Sequence, residues 1–234
     1  MFKSFQNQWT ELDQQTLPWG PVSPVPMGGK HPPFSASRAL DILIASCAIL
    51  FLLPLMIVIA VAIKLTEGGP VFFRHRRVGY SRRQFECLKF RTMHVNSARI
   101  LADHLAANPA AREEWQLSQK LQNDPRVSPL GLFLRVTSMD ELPQLFNVLR
   151  GDMALVGPRP VVTAELRHYG RYARYYFAVR PGLTGLWQVS GRSNTSYRRR
   201  VAYDVTYVRS RSIATDFGIL ARTIPAVMMA RGSY

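Results

Sequence analysis

Two cysteines among 234 residues, Cys47 and Cys87, are too few and too oddly placed for a disulfide scaffold or a cysteine metal site. Acidic residues are scarce as well, 15 against 30 basic ones, and only five of the basic residues are lysine. The resulting charge of +15, carried mostly by arginine, points to a polyanionic partner: nucleic acid, anionic lipid or a phosphorylated substrate. No Walker A sequence, dinucleotide fingerprint or G-x-S-x-G elbow occurs. The five histidines lack metal-site spacing. These absences leave carboxylates, arginines and a hard divalent cation as the available chemistry, and that chemistry belongs to phosphates.

One long apolar run is present. Positions 42–63 carry no charge and are almost wholly apolar, with Pro54 in their middle. As a straight helix the run would reach ~33 Å, enough for a hydrocarbon core of ~30 Å. It starts too late and runs too long for a signal peptide, so it is expected to stay in the mature protein. That places lipid and phosphate ahead of nucleic acid as partners. Both flanks are basic: Lys30 and Arg38 before it, Lys64, Arg74, Arg76, Arg77, Arg82 and Arg83 after it. A single span would put the large C-terminal part in the cytoplasm and the N-terminus outside. A segment broken at Pro54, with Ser46 helping to satisfy freed backbone groups, would return both ends to one face. Physics alone favours a span kinked at Pro54 over re-entry.

Residues 1–37 hold six prolines and three glycines without apolar period, the pattern of a flexible tail. About 170 residues follow the apolar run, enough for one domain with a core. Short strands are expected at Val71-Phe72-Phe73 and over 85–90. A helical stretch is expected over 96–122, with Asn108-Pro109 starting its second helix. The second half of 131–150 looks helical, ended by Gly151. Residues 169–178 suggest an aromatic, Arg-rich surface helix, and 213–230 a packed or interfacial one.

Ser138-Met139-Asp140-Glu141-Leu142-Pro143 is the sharpest local feature. Ser138 and Glu141 have capping-box spacing. With Asp140 as N-cap instead, Pro143 falls where a missing N–H costs nothing. Either frame sets the Asp-Glu pair at a helix N-terminus, where negative charge is favoured. Capping and catalysis are both compatible with it. Gly157-Pro158-Arg159-Pro160 holds an arginine on a stiffened backbone, suited to bidentate phosphate contact or to a plain surface turn. Arg180-Pro181-Gly182-Leu183-Thr184-Gly185 and Gly191-Arg192 repeat the theme of arginine in glycine-rich loops. Lys89 and Arg91 form a further basic pair, and Asp204 is a further carboxylate.

Taken in order, Arg38-Ala39-Leu40-Asp41, Gly69-Pro70-Val71-Phe72-Phe73, Lys89-Phe90-Arg91-Thr92-Met93, Asp140-Glu141-Leu142-Pro143-Gln144-Leu145, Gly157-Pro158-Arg159-Pro160 and the 180–185 loop resemble the bacterial sugar transferases. These are the monotopic phosphoglycosyl transferases that begin lipid-linked glycan assembly. Thr223-Ile224-Pro225-Ala226-Val227 and Arg231-Gly232-Ser233-Tyr234 look most like members that move galactosyl phosphate in exopolysaccharide synthesis. The resemblance implies an α+β, mostly helical fold, with an N-terminal re-entrant membrane helix at 38–64 and amphipathic interfacial helices around a small sheet. Residues 65–234 would be the catalytic domain at the cytoplasmic face of the bacterial inner membrane. It further implies transfer of a hexose-1-phosphate, galactose first and glucose next, from a UDP-sugar to undecaprenyl phosphate, through an aspartyl-phosphosugar intermediate. Asp140 matches the family nucleophile and Glu141 the residue that holds Mg²⁺. Arg159 matches the arginine on the nucleotide phosphates. Lys89 and Asp204 match other polar active-site positions, with Arg91 beside Lys89 in the same motif. Met139 stands where leucine is commoner, a near-neutral exchange. Inner-membrane lipid is an expected partner and nucleic acid is not; a homodimer stays open. The competing class is a membrane-tethered basic scaffold for anionic lipid or nucleic acid, indifferent to Mg²⁺ and to Asp140.

Overall fold

The computed structural model describes residues 35–118, 120–190 and 195–228; residues 1–34 of the expected tail at 1–37, Gly191-Arg192 and the closing Arg231-Gly232-Ser233-Tyr234 lie outside them, and the tail's last three residues cap and begin the first helix. The apolar run lies within α1, Ala36–Glu67, a single 32-residue helix that continues through Pro54. Ser35 caps its start by accepting from the Arg38 N–H at 3.3 Å, and Gly68 ends it at φ 62. Ala45, Ile49, Met56, Ile59 and Ile63 form a narrow buried stripe, at spacings that share one helix face. The opposite faces expose Leu50, Phe51, Ile57, Val58, Val61 and Leu65. Only 17 % of the most apolar window is buried, so α1 is not the core helix of a water-surrounded protein. Water does not tolerate so long an uncovered apolar surface.

After Gly68 the chain forms a hairpin of β1 (Phe72–Val78) and β2 (Gln84–Phe90), antiparallel with Phe72 opposite Phe90 and Val78 opposite Gln84. β1 is longer than its apolar start predicts, because exposed Arg74, His75 and Arg76 and half-buried Arg77 continue the ladder. Helices α2 (Ser97–Ala107) and α3 (Pro109–Ser118) follow; the Asn108 side chain accepts from the Ala111 N–H, as its position before Pro109 predicts. The first half of 131–150 is helical too. Helix α4 spans Pro129–Val136 with Ser128 as N-cap, and α5 spans Gln144–Arg150, ended by Gly151 at φ 88.

Strands β3 (Ala154–Val156) and β4 (Gly182–Thr184) pair in parallel, so the small sheet is two separate two-stranded pairs. Between them, residues 169–178 do not form the expected surface helix. They make a 3-10 turn and then α6, Ala173–Phe177, with Tyr169, Tyr176 and Phe177 buried. The aromatic spacing was that of a core contact rather than a solvated face. Helix α7 (Leu186–Ser190), α8 (Tyr197–Ser210) and α9 (Ile213–Met228) are the last described elements. Helix α9 packs through Ile219 and leaves Ile213, Phe217 and Ile224 exposed, which is the packed and amphipathic form expected of it.

Among the described residues three clusters make the core. Ala45 and Ile49 of α1 join Leu145 and Val148 of α5, Leu155 and Val156 of β3, Tyr207 and Ile219. Met56, Ile59 and Ile63 join Phe90 and Leu134. Val78, Val161, Tyr169, Tyr176, Phe177, Val201 and Val205 form the third. The membrane-type helix therefore supplies core to the part that follows it.

Candidate active site

The acidic pair sits in a bend between α4 and α5. Ser138 holds a left-handed φ of 58 and makes no side-chain cap; Met139–Glu141 is one 3-10 turn. Neither predicted capping frame forms, because the turn spends the residues that would have begun a helix. Helix α5 begins only after Pro143, at Gln144. A serine in this region costs of order 1 kcal/mol or more, and here it re-aims the chain so that Asp140 and Glu141 both face inward.

Lys89 reaches that turn from β2, 51 residues earlier in the chain. Its Nζ lies 2.7 Å from Glu141 Oε1 and 3.3 Å from Asp140 Oδ2. The register is set by Asn147 on α5, fully buried. Its side chain accepts from the Leu88 N–H at 2.9 Å and donates to the Glu86 carbonyl at 2.7 Å. Those backbone groups lie on the edge of β2 and would otherwise be orphaned. One asparagine thus fastens the strand carrying Lys89 to the helix that follows the acidic pair.

Arg159 completes the group, with its guanidinium 3.6 Å from Glu141 Oε1 and 41 % of its side chain exposed. The loop carrying it is made possible by two glycines: a Cβ on Gly182 would lie 2.1 Å from the Gly157 nitrogen. Gly157 donates to the Thr184 carbonyl and Gly182 to that of Pro158, at 2.9 and 2.8 Å.

The two carboxyls are driven apart. Burial, the largest influence, pushes Asp140 above the usual carboxylate range; Lys89 pulls it back, and the charge of Glu141 adds to the rise. Burial also acts on Glu141, but Lys89, Arg159 and hydrogen bonds from Lys89 and Gln144 outweigh it and hold that carboxyl at about 2. One group is a fixed anion and the other is a buried carboxyl beside a cation. Such a divided pair is a signature of sites that handle charge or covalent transfer.

Other expected residues stand elsewhere. Arg91 is buried and bonds the Gly68 carbonyl at the end of α1. Arg180 donates to the Gly151 carbonyl at 2.9 Å, closing the C-terminus of α5. Asp204 is buried on α8, where it accepts from the Tyr169 hydroxyl at 2.6 Å. Ser46 is exposed on α1 and Pro54 lies within the same unbroken helix. Two residues near the pair escape sequence inspection. Arg135, in the last turn of α4, donates to Thr92 Oγ1 at 2.9 Å and feels the charge of Asp140. Gln144 bonds Glu141. Only their closeness in sequence to the pair could have suggested them.

Among the described residues no group of three or more His, Cys, Asp and Glu side chains converges. A closed protein cage for a cation is therefore not built there. An ionised Glu141 beside Asp140 fits instead a hard divalent ion that keeps its waters and takes further oxygens from a phosphate ligand.

The bacterial sugar transferase family model matches residues 33–230. An exopolysaccharide production protein of Sinorhizobium fredii is 49 % identical over 209 residues, covering 89 % of this chain and 90 % of its own. The undecaprenyl-phosphate galactose phosphotransferase of Salmonella typhimurium is 46 % identical over 84 % of this chain and 41 % of its own. A UDP-glucose:undecaprenyl-phosphate glucose-1-phosphate transferase of Xanthomonas campestris is 39 % identical over 86 % of this chain and 40 % of its own.

Proposed function

The chain belongs to the bacterial sugar transferases, and from that premise we propose that it moves a hexose-1-phosphate from a UDP-sugar to undecaprenyl phosphate. The transfer would be the first step in assembling an exopolysaccharide repeat unit. The convergence of Lys89, Asp140, Glu141 and Arg159 carries this reading: a buried carboxylate beside a fixed anion, a lysine and a half-exposed arginine.

In the first step an Asp140 oxygen attacks the β-phosphorus of the UDP-sugar. The bond from that phosphorus to the bridging oxygen breaks, and its electron pair leaves with UMP. In the second step an oxygen of undecaprenyl phosphate attacks the phosphorus now held by Asp140. The phosphorus–Asp140 bond breaks, regenerating the carboxylate and leaving a lipid diphosphate-sugar. A carboxylate nucleophile divides one difficult transfer into two easier ones. Lys89 favours the ionised form that burial opposes, and Arg159 grips the nucleotide phosphates bidentately. Glu141 would hold Mg²⁺, which supplies charge neutralisation on the diphosphate. Galactose is the favoured sugar and glucose the next, since relatives of both kinds match this chain.

A lipid phosphate and a nucleotide sugar must meet at the cytoplasmic surface. That requirement favours α1 entering the inner membrane and returning through a bend at Pro54 within the continuous helix, with Ser46 nearby, over crossing it. Exposed Phe217 and Ile224 of α9 would lie at the interface. UMP release from membranes, measured against UDP-galactose, UDP-glucose and other UDP-sugars, tests reaction and sugar together; no release from any of them sinks the proposal. A cysteine placed in the N-terminal tail, with Cys47 and Cys87 replaced, tests topology. Periplasmic labelling would restore the single span.

A further inference from the structure

Arg159 is the one member of the site that stands on a loop, and the loop's grip on the rest of the protein comes from outside the site. Gly157 and Pro158 are tied to β4 at one end. At the other end Val161 pairs with Val78 of β1, whose N–H donates to the Val161 carbonyl at 2.9 Å. The buried Tyr176 hydroxyl lies between these two backbones: it accepts from the Val161 N–H at 3.2 Å and donates to the Val78 carbonyl. The Arg77 guanidinium adds a bond to the Pro160 carbonyl at 3.2 Å.

The Tyr176 ring is itself fixed. Tyr169 packs against it with the rings tilted by 60°, 5.3 Å between centroids, and Phe177 meets it edge-on at 5.7 Å. The Tyr169 hydroxyl is anchored in turn on Asp204 of α8. A line of contacts therefore runs from Asp204 through Tyr169 and Tyr176 to the backbone two residues past Arg159. Among the described residues it is Arg159, not Asp204, that contacts Glu141.

We propose that Tyr176 is a positioning residue for Arg159, holding residues 157–162 so that the guanidinium stays beside Glu141 to receive a nucleoside diphosphate, with Tyr169 and Asp204 as its support. The inference rests on the phosphosugar-transfer reading above. On this account Asp204 acts at a distance and touches no substrate.

Tyr176→Phe keeps the ring and removes only the hydroxyl. With UDP-galactose as the probe, KM rises about 5–10-fold while kcat stays within about twofold, the pattern of lost ground-state binding. In an Arg159→Ala background the same substitution changes KM no further. An equal KM effect in both backgrounds, or a fall in kcat at unchanged KM, overturns the proposal. Hydrogen exchange gives a second readout that needs no turnover. In the full chain carrying Asp140→Asn, Tyr176→Phe speeds exchange at the amides of Gly157, Arg159, Val161 and Val162, and unchanged exchange there overturns the proposal as well. A wild-type protein that releases no UMP sinks the transferase reading instead, and leaves the exchange result to decide the positioning role.

Discussion

Glu141 and Asp204 are both largely withdrawn from water, yet one is held at about 2 and the other is pushed up to about 7. Burial raises both. At Glu141 it is outweighed by two cations, Lys89 and Arg159, and by hydrogen bonds from Lys89 and Gln144. At Asp204 only the neutral Tyr169 hydroxyl pulls the other way. The difference is not burial but what shares the pocket. The first region keeps a charge between two cations. The second has aromatic walls and uses its carboxyl as a hydrogen-bond anchor. A carboxylate in a chain with twice as many basic as acidic residues is thus not assured a cation.

The sharpest way to break this contrast is to exchange each carboxyl for its amide and ask which reaction suffers. Asp140→Asn removes the proposed nucleophile without removing volume, and UMP release in membranes falls by about 10³-fold or more. The same protein keeps its membrane insertion and its unfolding midpoint within a small margin. Activity close to wild type would leave the acidic pair as a cap and the covalent route without support. Asp204→Asn has its main effect on stability, because an amide oxygen still accepts from Tyr169 without carrying a buried charge.

Much of the first region was legible before any coordinates. Asp140-Glu141, Pro143 and the proline-flanked Arg159 are local patterns with local reasons, and strand character at 85–90 placed Lys89 on an ordered element. The second region was not legible. Tyr169 and Tyr176 looked like surface residues because they alternate with exposed Arg171 and Arg174. Their burial depends on α8 and β1, far away in sequence. Asn147 was missed for the same reason: its role is to satisfy backbone groups 59 and 61 residues distant. The capping prediction at Ser138 failed on a backbone property, a left-handed serine, that capping-box spacing does not register.

Titration sharpens the comparison further, and Asp204 has the larger expected effect. Its carboxyl rises from an ordinary value of 3.8 to about 7 in the folded protein. Between those values the folded state binds the extra proton, so stability is greatest below about pH 4 and declines as pH climbs to about 7. The full span corresponds to up to about 4 kcal/mol. Urea midpoints of wild type and Asp204→Asn, followed from pH 4 to 8, should converge in acid and separate towards neutrality, with the variant the more stable. Parallel curves would mean that Asp204 keeps an ordinary affinity for its proton.

Glu141 gives the opposite sign and the smallest effect. Its folded value lies below the ordinary 4.5, at about 2. There the unfolded chain binds the extra proton, so the contribution is complete above about pH 4.5 and is lost as pH falls through about 2. It amounts to about 3 kcal/mol at most, and the 21 % of its side chain that meets solvent should reduce it. Glu141→Gln should therefore lower the urea midpoint at pH 6 relative to wild type, and the gap should narrow as the buffer is acidified towards pH 3 and close near pH 2. A gap that persists unchanged in acid would assign the loss to packing around Gln144 and Lys89 rather than to the ion pairs. In that event the two carboxyls would differ in surroundings but not in charge, and the case for Glu141 as a fixed anion waiting for a diphosphate would fall with it.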